Sequence, residues 1–267
     1  MLFAWRVHPD YPLIFAGNRD ENYDRPSAAA TFWDDAPDIF GGRDLEKGGT
    51  WLGLTRTGRI ATVTNYRAGF ARRGEAPRSR GELVASYLRG TGTPAQFLQQ
   101  VIPASPQYRD FCLIVGNLDQ LHFYSNRGSA PQEIAPGVHG LSNHLLDTPW
   151  PKVRLGRARV SALLERSEAD LVEGLFGLLA DRTPAPDADL PDTGVGLTRE
   201  RELSPCFIAD ARYGTRASTV MLIHRNHTVL FHEQLFGPLG TPLGSSERRF
   251  ELEPRTTAYV GPATSGG

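Results

Sequence analysis

Four short runs of polar residues stand where predicted strands end, and together they could line a polar pocket. They occupy residues 18–21, 64–67, 140–144 and 213–219. Loops at strand ends present side chains over a rigid sheet, so arginine, aspartate and asparagine there can offer charges and hydrogen bonds to a ligand or a reacting group. Three of the runs also have a structural explanation: residues 18–21 as a charged turn, Asn143 as a turn residue, and Arg216 as a surface cation.

Other kinds of site are disfavoured because their sequence signatures are absent. No Cys-x-x-Cys or His-x-x-x-His spacing predicts structural zinc, and no Gly-x-Ser-x-Gly elbow predicts a serine triad. Gly48 and Gly49 permit close backbone approach or a positive φ, but they lead into a strand and make a weak phosphate loop. His139 and His144, on either side of Asn143, are the two histidines weighed as ligands or acid/base groups, with a structural role as the alternative.

The charge balance does not favour nucleic acid or an anionic membrane as a partner. Lysine and arginine total 29, aspartate and glutamate total 30, and 40% of the 267 residues are hydrophobic. The local cluster of Arg72, Arg73, Arg78 and Arg80 is interpreted as a solvated loop rather than a phosphate-binding patch.

Two cysteines, Cys112 and Cys206, predict free thiols in a reducing compartment rather than a disulfide framework. The sequence begins without a basic leader or a cleavage site, and it contains no stretch of about 20 apolar residues. We therefore expect a cytoplasmic protein with no integral membrane segment.

Paired apolar runs separated by turn residues predict four β-hairpins. The pairs are residues 2–7 with 13–18, 51–55 with 59–65, 111–116 with 120–125, and 218–224 with 228–233. Helices are predicted to begin at Ser79 with a capping box to Glu82, at Thr93, at Thr148, and at Ser167 or Asp170. Antiparallel hairpins interleaved with helices indicate two packed sheets covered by helices, although periodicity alone leaves a plain α+β fold equally open.

Taken together in order, these motifs resemble one family along nearly the whole chain. The resemblance is to the NRDE family, also called the transport and Golgi organisation protein 2 family. The motifs that carry it are Asn18-Arg19-Asp20-Glu21, Arg25-Pro26, Gly41-Gly42-Arg43-Asp44, Gly48-Gly49-Thr50-Trp51-Leu52-Gly53, Thr64-Asn65-Tyr66, Ser79-Arg80-Gly81-Glu82-Leu83-Val84, Gly140-Leu141-Ser142-Asn143, Thr148-Pro149-Trp150 and Tyr213-Gly214-Thr215-Arg216.

The resemblance implies an α+β fold, a four-layer αββα sandwich of two antiparallel sheets similar to the N-terminal-nucleophile hydrolases. It implies one domain over residues 1–262 and a flexible tail over 263–267. The family looks similar to acylases in which an N-terminal cysteine is the nucleophile and its α-amine is the base. By motif position, the supporting catalytic residues would be Arg19, Asp20, Asn65, Asn143 and Arg216.

The start of the chain departs from that pattern. The family usually begins Met-Cys, whereas this sequence begins Met1-Leu2, and the family's cysteine would lie just upstream of Met1. The internal cysteines cannot supply a free α-amine. We therefore expect no N-terminal-nucleophile catalysis from the sequence as written.

Two functions remain, with ligand handling ahead. The resemblance implies a small hydrophobic ligand or transported haem, in haem mobilisation or in lipid and acyl-CoA homeostasis; no resident cofactor is assigned. Apolar lining could come from Trp5, Phe15, Phe32, Trp33 and Trp51, and a haem could be held through His139 or His144. The alternative is an amide or thioester hydrolase with an upstream Met-Cys start. The residues expected to bind ligand are Asn18, Glu21, Trp51, Tyr66, His144 and Tyr213.

Overall fold

A computed structural model describes residues 1–69, 77–128 and 130–253. The first of its two antiparallel sheets has six strands, and the central pair is β2 with β11. In spatial order, the strands are β10 (Gly137–Gly140), β1 (Leu2–Trp5), β2 (Leu13–Asn22), β11 (Tyr213–Ile223), β12 (Thr228–Phe236) and β13 (Pro242–Glu251).

The second sheet has seven strands, each paired with its neighbour in the chain or across one helical connection. Its strands, in spatial order, are β3 (Ser27–Trp33), β4 (Ala36–Asp44), β5 (Leu52–Thr55), β6 (Ile60–Asn65), β7 (Phe111–Gly116), β8 (Leu121–Ser125) and β9 (Gln132–Glu133).

Helices form the two outer layers. The second sheet is covered by α1 (Arg80–Arg89) and α2 (Pro94–Ala104), and the first sheet is covered by α3 (Pro151–Leu163) and α4 (Glu168–Leu179). A short helix, α5 (Leu197–Glu202), precedes β11. The molecule is therefore a four-layer αββα sandwich, which confirms the fold expected from the hairpins and the family resemblance.

Strand alternation divides the apolar residues among three cores. On β2, Phe15 joins the core between the sheets, whereas Ile14 and Ala16 join the core under α3 and α4. A third core, around Tyr87 and Phe111, lies between the second sheet and α1 and α2. Burial of apolar surface in the three cores stabilises the fold by roughly 25 cal/mol for each Å² removed from water.

All four predicted hairpins form, with different lengths for some strands. The fourth begins at Tyr213 rather than at residue 218, so the polar run 213–219 lies inside β11 and not before it. The strands β3, β4, β9, β10 and β13 were not predicted. β4 carries adjacent glycines, and β13 is mostly exposed, so neither has the alternating apolar pattern of a half-buried strand.

Two helix starts differ in detail from their predictions. Ser79 is the N-cap residue of α1, but its side chain makes no capping hydrogen bond, and the Glu82 N–H donates to the Ser79 backbone carbonyl at 3.0 Å. The Glu82 carboxylate is paired with Arg78. The reciprocal capping box is formed by Thr93 and Gln96 at the start of α2. The third helix begins at Pro151, two residues beyond the Thr148-Pro149 start.

Two predictions concern residues that the structure does not describe. They are the solvated loop at Arg72 and Arg73 and the tail at 263–267, so the division into a domain over 1–262 and a tail stays a prediction.

The two adjacent glycines before β5 are needed for different reasons, Gly48 for a positive φ and Gly49 for a close backbone contact. Gly48 has a φ of 72°, in the left-handed region. A Cβ on Gly49 would lie 2.5 Å from the backbone carbon of Gly81, in the first turn of α1. The backbone of this loop therefore lies directly against the start of α1, and Thr50 N–H donates to the Gly81 carbonyl at 3.2 Å.

Gly49→Ala is expected to lower the free energy of unfolding by about 1–3 kcal/mol, because the added methyl group meets backbone that cannot rotate away. The matched control is Gly177→Ala on the exposed side of α4, where a Cβ meets no atom within 4 Å. That change is expected to raise stability by about 0.5–1 kcal/mol. Urea denaturation of both variants checks this; equal effects would contradict the close backbone approach.

Candidate functional site

A cavity of about 210 Å³ lies between the two sheets at one end of the sandwich. Both sheets contribute to it, together with the first turns of α1 and α3 and the end of α4. Its lining includes Met1, Phe15, Asn18, Arg19, Asp20, Glu21, Trp51, Asn65, Arg80, Asn143, Lys152, Leu178, Leu179, Cys206 and Tyr213.

Asp20 is a buried carboxylate whose position is set by the β2–β11 pair. Its partner across the ladder is Thr215, whose hydroxyl donates to Asp20 Oδ1 at 2.7 Å. The same hydroxyl accepts from the Ile208 N–H at 3.0 Å. Burial raises the pKa of Asp20, and the charge of Lys152 and the Thr215 hydrogen bond both oppose that shift.

Lys152 supplies a buried positive charge from the first turn of α3. Its Nζ donates to the carbonyls of Leu203 at 2.7 Å and Pro205 at 3.2 Å. Burial lowers the pKa of Lys152, while Asp20 opposes the shift. The ammonium group is thus held by two carbonyls and by the fields of the Asp20 and Glu200 carboxylates.

The amino group of Met1 lies in the same buried region. It donates to the Leu141 carbonyl at 2.9 Å, and the Leu141 N–H donates to the Met1 carbonyl at 2.9 Å. Burial, and then the charge of Lys152, lower the pKa of this amine to about 6, with Cys206 and Asp20 opposing the shift. An amine with that pKa is mostly neutral at pH 7.

Asn18 holds the cavity wall together. Its Nδ2 donates to the carbonyls of Leu179 at 2.9 Å and Cys206 at 2.8 Å, and its Oδ1 accepts from Ser218 at 2.6 Å. With these bonds, Asn18 ties β2 to the end of α4 and to the segment before β11. Asn18 was expected to bind ligand, but its amide group makes these hydrogen bonds within the protein instead.

Arg19 and Glu21 lie on the opposite side of β2 from Asp20 and Asn18, in strand alternation. The Arg19 guanidinium stacks 4.1 Å from the centre of the Trp51 ring. Glu21 accepts from the Asn22 N–H at 2.9 Å and lies 4.0 Å from Arg25 Nε. Arg25 in turn binds Asp44 at 2.7 Å.

Asn65 and Asn143 meet at the cavity edge. Asn143 Nδ2 donates to the backbone carbonyl of Asn65 at 3.1 Å. Asn143 has a φ of 55°, which asparagine tolerates better than most residues. The Asn65 side chain is exposed at the end of β6, so both asparagines are available at the mouth of the cavity.

Three expected site residues do not line the cavity. Arg216 sits at a β-bulge in β11, and its guanidinium donates to the backbone carbonyls of Asn22 and Arg25. Tyr66 and His144 contact each other behind the cavity wall, with the tyrosine hydroxyl 2.7 Å from His144 Nε2. Tyr213 does line the cavity, and burial raises the pKa of its hydroxyl.

Neither histidine weighed as a haem ligand offers a free ring nitrogen. His139 is bonded through Nδ1 to Asp147 at 2.7 Å and through Nε2 to the Ala135 carbonyl at 2.8 Å. In His144, Nδ1 is bonded to Thr148 and Nε2 to Tyr66. Among residues 1–69, 77–128 and 130–253, no group of three or more His, Cys, Asp or Glu side chains is arranged to hold a metal ion.

The expected aromatic lining is only partly present. Phe15 and Trp51 face the cavity. The side chains of Trp5 and Trp33 are buried in the cores between the layers. Phe32 packs against Phe40 and Phe250 and does not reach the cavity.

Sequence reasoning missed several groups in the cavity: the amine of Met1, Arg80, Lys152 and Cys206. For Lys152 a signal was present, since only two of the 29 basic residues are lysines. Arg80, which was assigned to a solvated loop, is instead the first residue of α1 and faces the cavity. No sequence pattern marked Cys206 or Met1, because only the tertiary fold brings them near Asp20.

The fold and the site define a four-layer αββα protein with a buried, charged cavity at one end. A family model described as Transport and Golgi organisation 2 matches residues 1–238, and the chain belongs to that family.

Named relatives match along most of their length. The chain is 35% identical over 240 residues to the Transport and Golgi organization 2 homolog of Mus musculus, covering 84% of this chain and 86% of the relative. It is 35% identical over 257 residues to the Bos taurus homolog, with 90% of each covered. It is 29% identical over 255 residues to the Drosophila melanogaster Transport and Golgi organization protein 2, covering 84% of this chain and 86% of the relative.

A solved structure of a variant of conjugated bile acid hydrolase from Clostridium perfringens is similar in overall layout, with a TM-score of 0.47 and 6% identity. The match covers 94% of this chain and 92% of that structure. Within the described part of the chain, no helix is long and apolar enough to cross a membrane.

Thr215→Val is expected to lower the free energy of unfolding at pH 7 by about 1.5–3 kcal/mol, because buried Asp20 loses its hydroxyl donor and the Ile208 N–H loses its acceptor. Thr219→Val on the same strand is the matched control. Thr219 is equally buried, and its hydroxyl has no hydrogen bond to another described residue. Its loss is expected to cost less than about 1 kcal/mol. Chemical denaturation measures both; similar losses would contradict the proposed support of Asp20.

Proposed function

We propose that this chain binds a small amphipathic ligand with an acyl chain, in keeping with a role in lipid or acyl-CoA handling. The observation that carries the proposal is the mixed lining of one cavity. Its lining combines hydrocarbon side chains, the apolar wall, with charged and amide side chains, the polar wall. A cytoplasmic setting belongs to the same proposal.

The apolar wall is formed by side chains from different layers. Phe15 comes from β2, Leu178 and Leu179 come from the end of α4, and Val153 comes from α3. A hydrocarbon chain in contact with these groups is removed from water, which favours binding by roughly 0.8 kcal/mol for each buried CH₂ group.

The polar wall suits the head of such a ligand. Asn65 and Asn143 present amide groups at the cavity mouth, and Arg19 presents a guanidinium fixed against Trp51. A few oriented polar groups set in an apolar pocket are typical of small-molecule sites.

The same geometry favours an acyl ligand over haem held by histidine. Iron ligation requires an unprotonated ring nitrogen, and His139 and His144 use both of theirs in hydrogen bonds within the protein. Neither ring lines the cavity.

Titration with lauric acid and, separately, with haem is expected to separate these ligands. Lauric acid should change tryptophan fluorescence saturably, since Trp51 lies in the cavity wall. Trp51→Phe should lose that change, while Trp150→Phe, at a tryptophan outside the lining, should keep it. Haem should give no spectrum of histidine-ligated iron. Absence of saturable lauric acid binding, or haem ligation lost in His144→Ala, would contradict the proposal.

A second candidate is an amide or thioester hydrolase, favoured by the position of the chain start in the cavity. β1 begins beside Asp20 and Lys152, and the Met1 amine there has a pKa of about 6. With a cysteine ahead of Met1, the Met1 nitrogen becomes a peptide nitrogen, and the α-amine of that cysteine would be the group beside Asp20 and Lys152. Burial near Lys152 would favour the neutral form of that amine too, so that it could act as a general base at pH 7. The thioether of Met1 is not a nucleophile, so this function needs a cysteine ahead of Met1.

Three proteins test this candidate: the chain beginning at Met1, the chain extended to start Met-Cys, and the chain extended to start Met-Ala. Both extensions permit removal of the leading methionine, so they differ only in the thiol. Hydrolysis of acyl-amides and acyl-thioesters is expected from the Met-Cys form alone. Equal rates for the Met-Cys and Met-Ala forms would refute cysteine catalysis, and hydrolysis by the chain beginning at Met1 would contradict our expectation from its sequence.

A further inference from the structure

Two arginines in the cavity have no carboxylate partner within 4.0 Å among the described residues. The guanidinium of Arg19 stacks on Trp51 and donates to the Ser27 hydroxyl at 3.4 Å. That of Arg80 donates to the backbone carbonyl of Asp110 at 3.2 Å. Both side chains are partly buried in the cavity wall.

The other basic side chains that line the cavity, Arg25 and Lys152, have acidic partners, and so does Arg67 nearby. Arg25 binds Asp44 at 2.7 Å, and Arg67 binds Glu200 at 2.7 Å. Lys152 lies in the field of Asp20. Excess positive charge therefore lies at Arg19 and Arg80.

The two guanidiniums share one region of the cavity. Both interact electrostatically with Glu21 and with Arg25. Glu21 is the carboxylate that these cations share, and one of its oxygens is taken by the Asn22 N–H. Arg25 is already paired with Asp44, so Glu21 is left to act on the guanidiniums of both Arg19 and Arg80, and the region keeps a net positive charge.

Both arginines remain charged at neutral pH and are held in place. Burial lowers the pKa of Arg19 and of Arg80 to about 10, still well above 7. Arg19 is fixed by its stacking on Trp51. Arg80 is fixed because the first turn of α1 packs directly on Gly49. A pair of charged, partly dehydrated and immobile guanidiniums is suited to bind an anion, since guanidinium matches the geometry of carboxylate and phosphate.

We propose that Arg80, together with Arg19, binds the anionic group of the ligand, a carboxylate or a phosphate, while the hydrocarbon part lies against Phe15, on the same side of β2 as Arg19. This inference rests on the proposed ligand-binding function and adds the charge of the ligand to it. Arg80 is then a specificity-determining residue.

Calorimetric titration with three eight-carbon probes tests the inference: octanoate, octyl phosphate and 1-octanol, at one ionic strength. The wild-type chain is expected to bind at least one anion about tenfold or more tighter than 1-octanol, as charge-assisted hydrogen bonds predict. Arg80→Gln should lose that preference and keep its affinity for 1-octanol within about twofold. The relative affinities of the two anions identify the preferred group.

Arg89→Gln is the matched control. Arg89 lies at the other end of α1, is bound to Asp35 at the surface, and loses the same charge in the same helix. Its preference for anions should equal that of the wild-type chain. Equal loss in both variants, or weaker binding of all three probes by Arg80→Gln, would overturn a local role for Arg80.

A second measurement separates this inference from the proposed function. Inorganic phosphate, compared with sodium chloride at equal ionic strength, should raise the melting temperature of the wild-type and Arg89→Gln chains but not of Arg80→Gln. That result with no binding of any eight-carbon probe would support the anion site and reject the acyl ligand. Binding of 1-octanol as tight as that of both anions, with no phosphate effect, would reject the anion site and leave the acyl ligand supported.

Discussion

The antiparallel pairing of β2 with β11 is the constraint on which the rest of the site depends. The ladder runs from Leu13 opposite Ile223 to Asn22 opposite Tyr213. Its first half is apolar on both faces and lies inside two cores, so its register is fixed by burial. The polar second half inherits that register, which brings Asp20 opposite Thr215 and Asn18 opposite Ser218.

Burial of charge is the second constraint, and the protein meets it differently in neighbouring places. Asp20, Lys152 and the Met1 amine lie in one region, where the carboxylate of Asp20 offsets part of the cost of burying the two cationic groups, while Lys152 disfavours the charged form of the amine. Arg19 and Arg80 lack such partners among the described residues. The cavity therefore has a compensated region around Asp20 and Lys152 and a positive region around Arg19 and Arg80, and the positive region can favour one ligand charge over another.

The chain belongs to the Transport and Golgi organisation 2 family. Several residues of the motifs that resemble this family have structural roles in the chain. Asn18 ties three segments together, Gly49 allows α1 to approach, and Arg216 fastens β11 to the turn after β2. Some motif residues thus hold the elements around the cavity in place, while others form its lining.

The sequence by itself determined the local elements, because strand alternation, turn residues and helix caps act over only a few residues. It predicted the four hairpins, the starts of α1, α2 and α4 and the four polar runs, while the αββα layers were expected from the family resemblance. The tertiary structure decided which polar groups meet. A bulge turned Arg216 away from the cavity, the docking of α3 brought in Lys152, and the packing of α1 on Gly49 brought in Arg80. These contacts join residues that are distant along the chain, and their geometry depends on how whole layers pack, which no local pattern encodes.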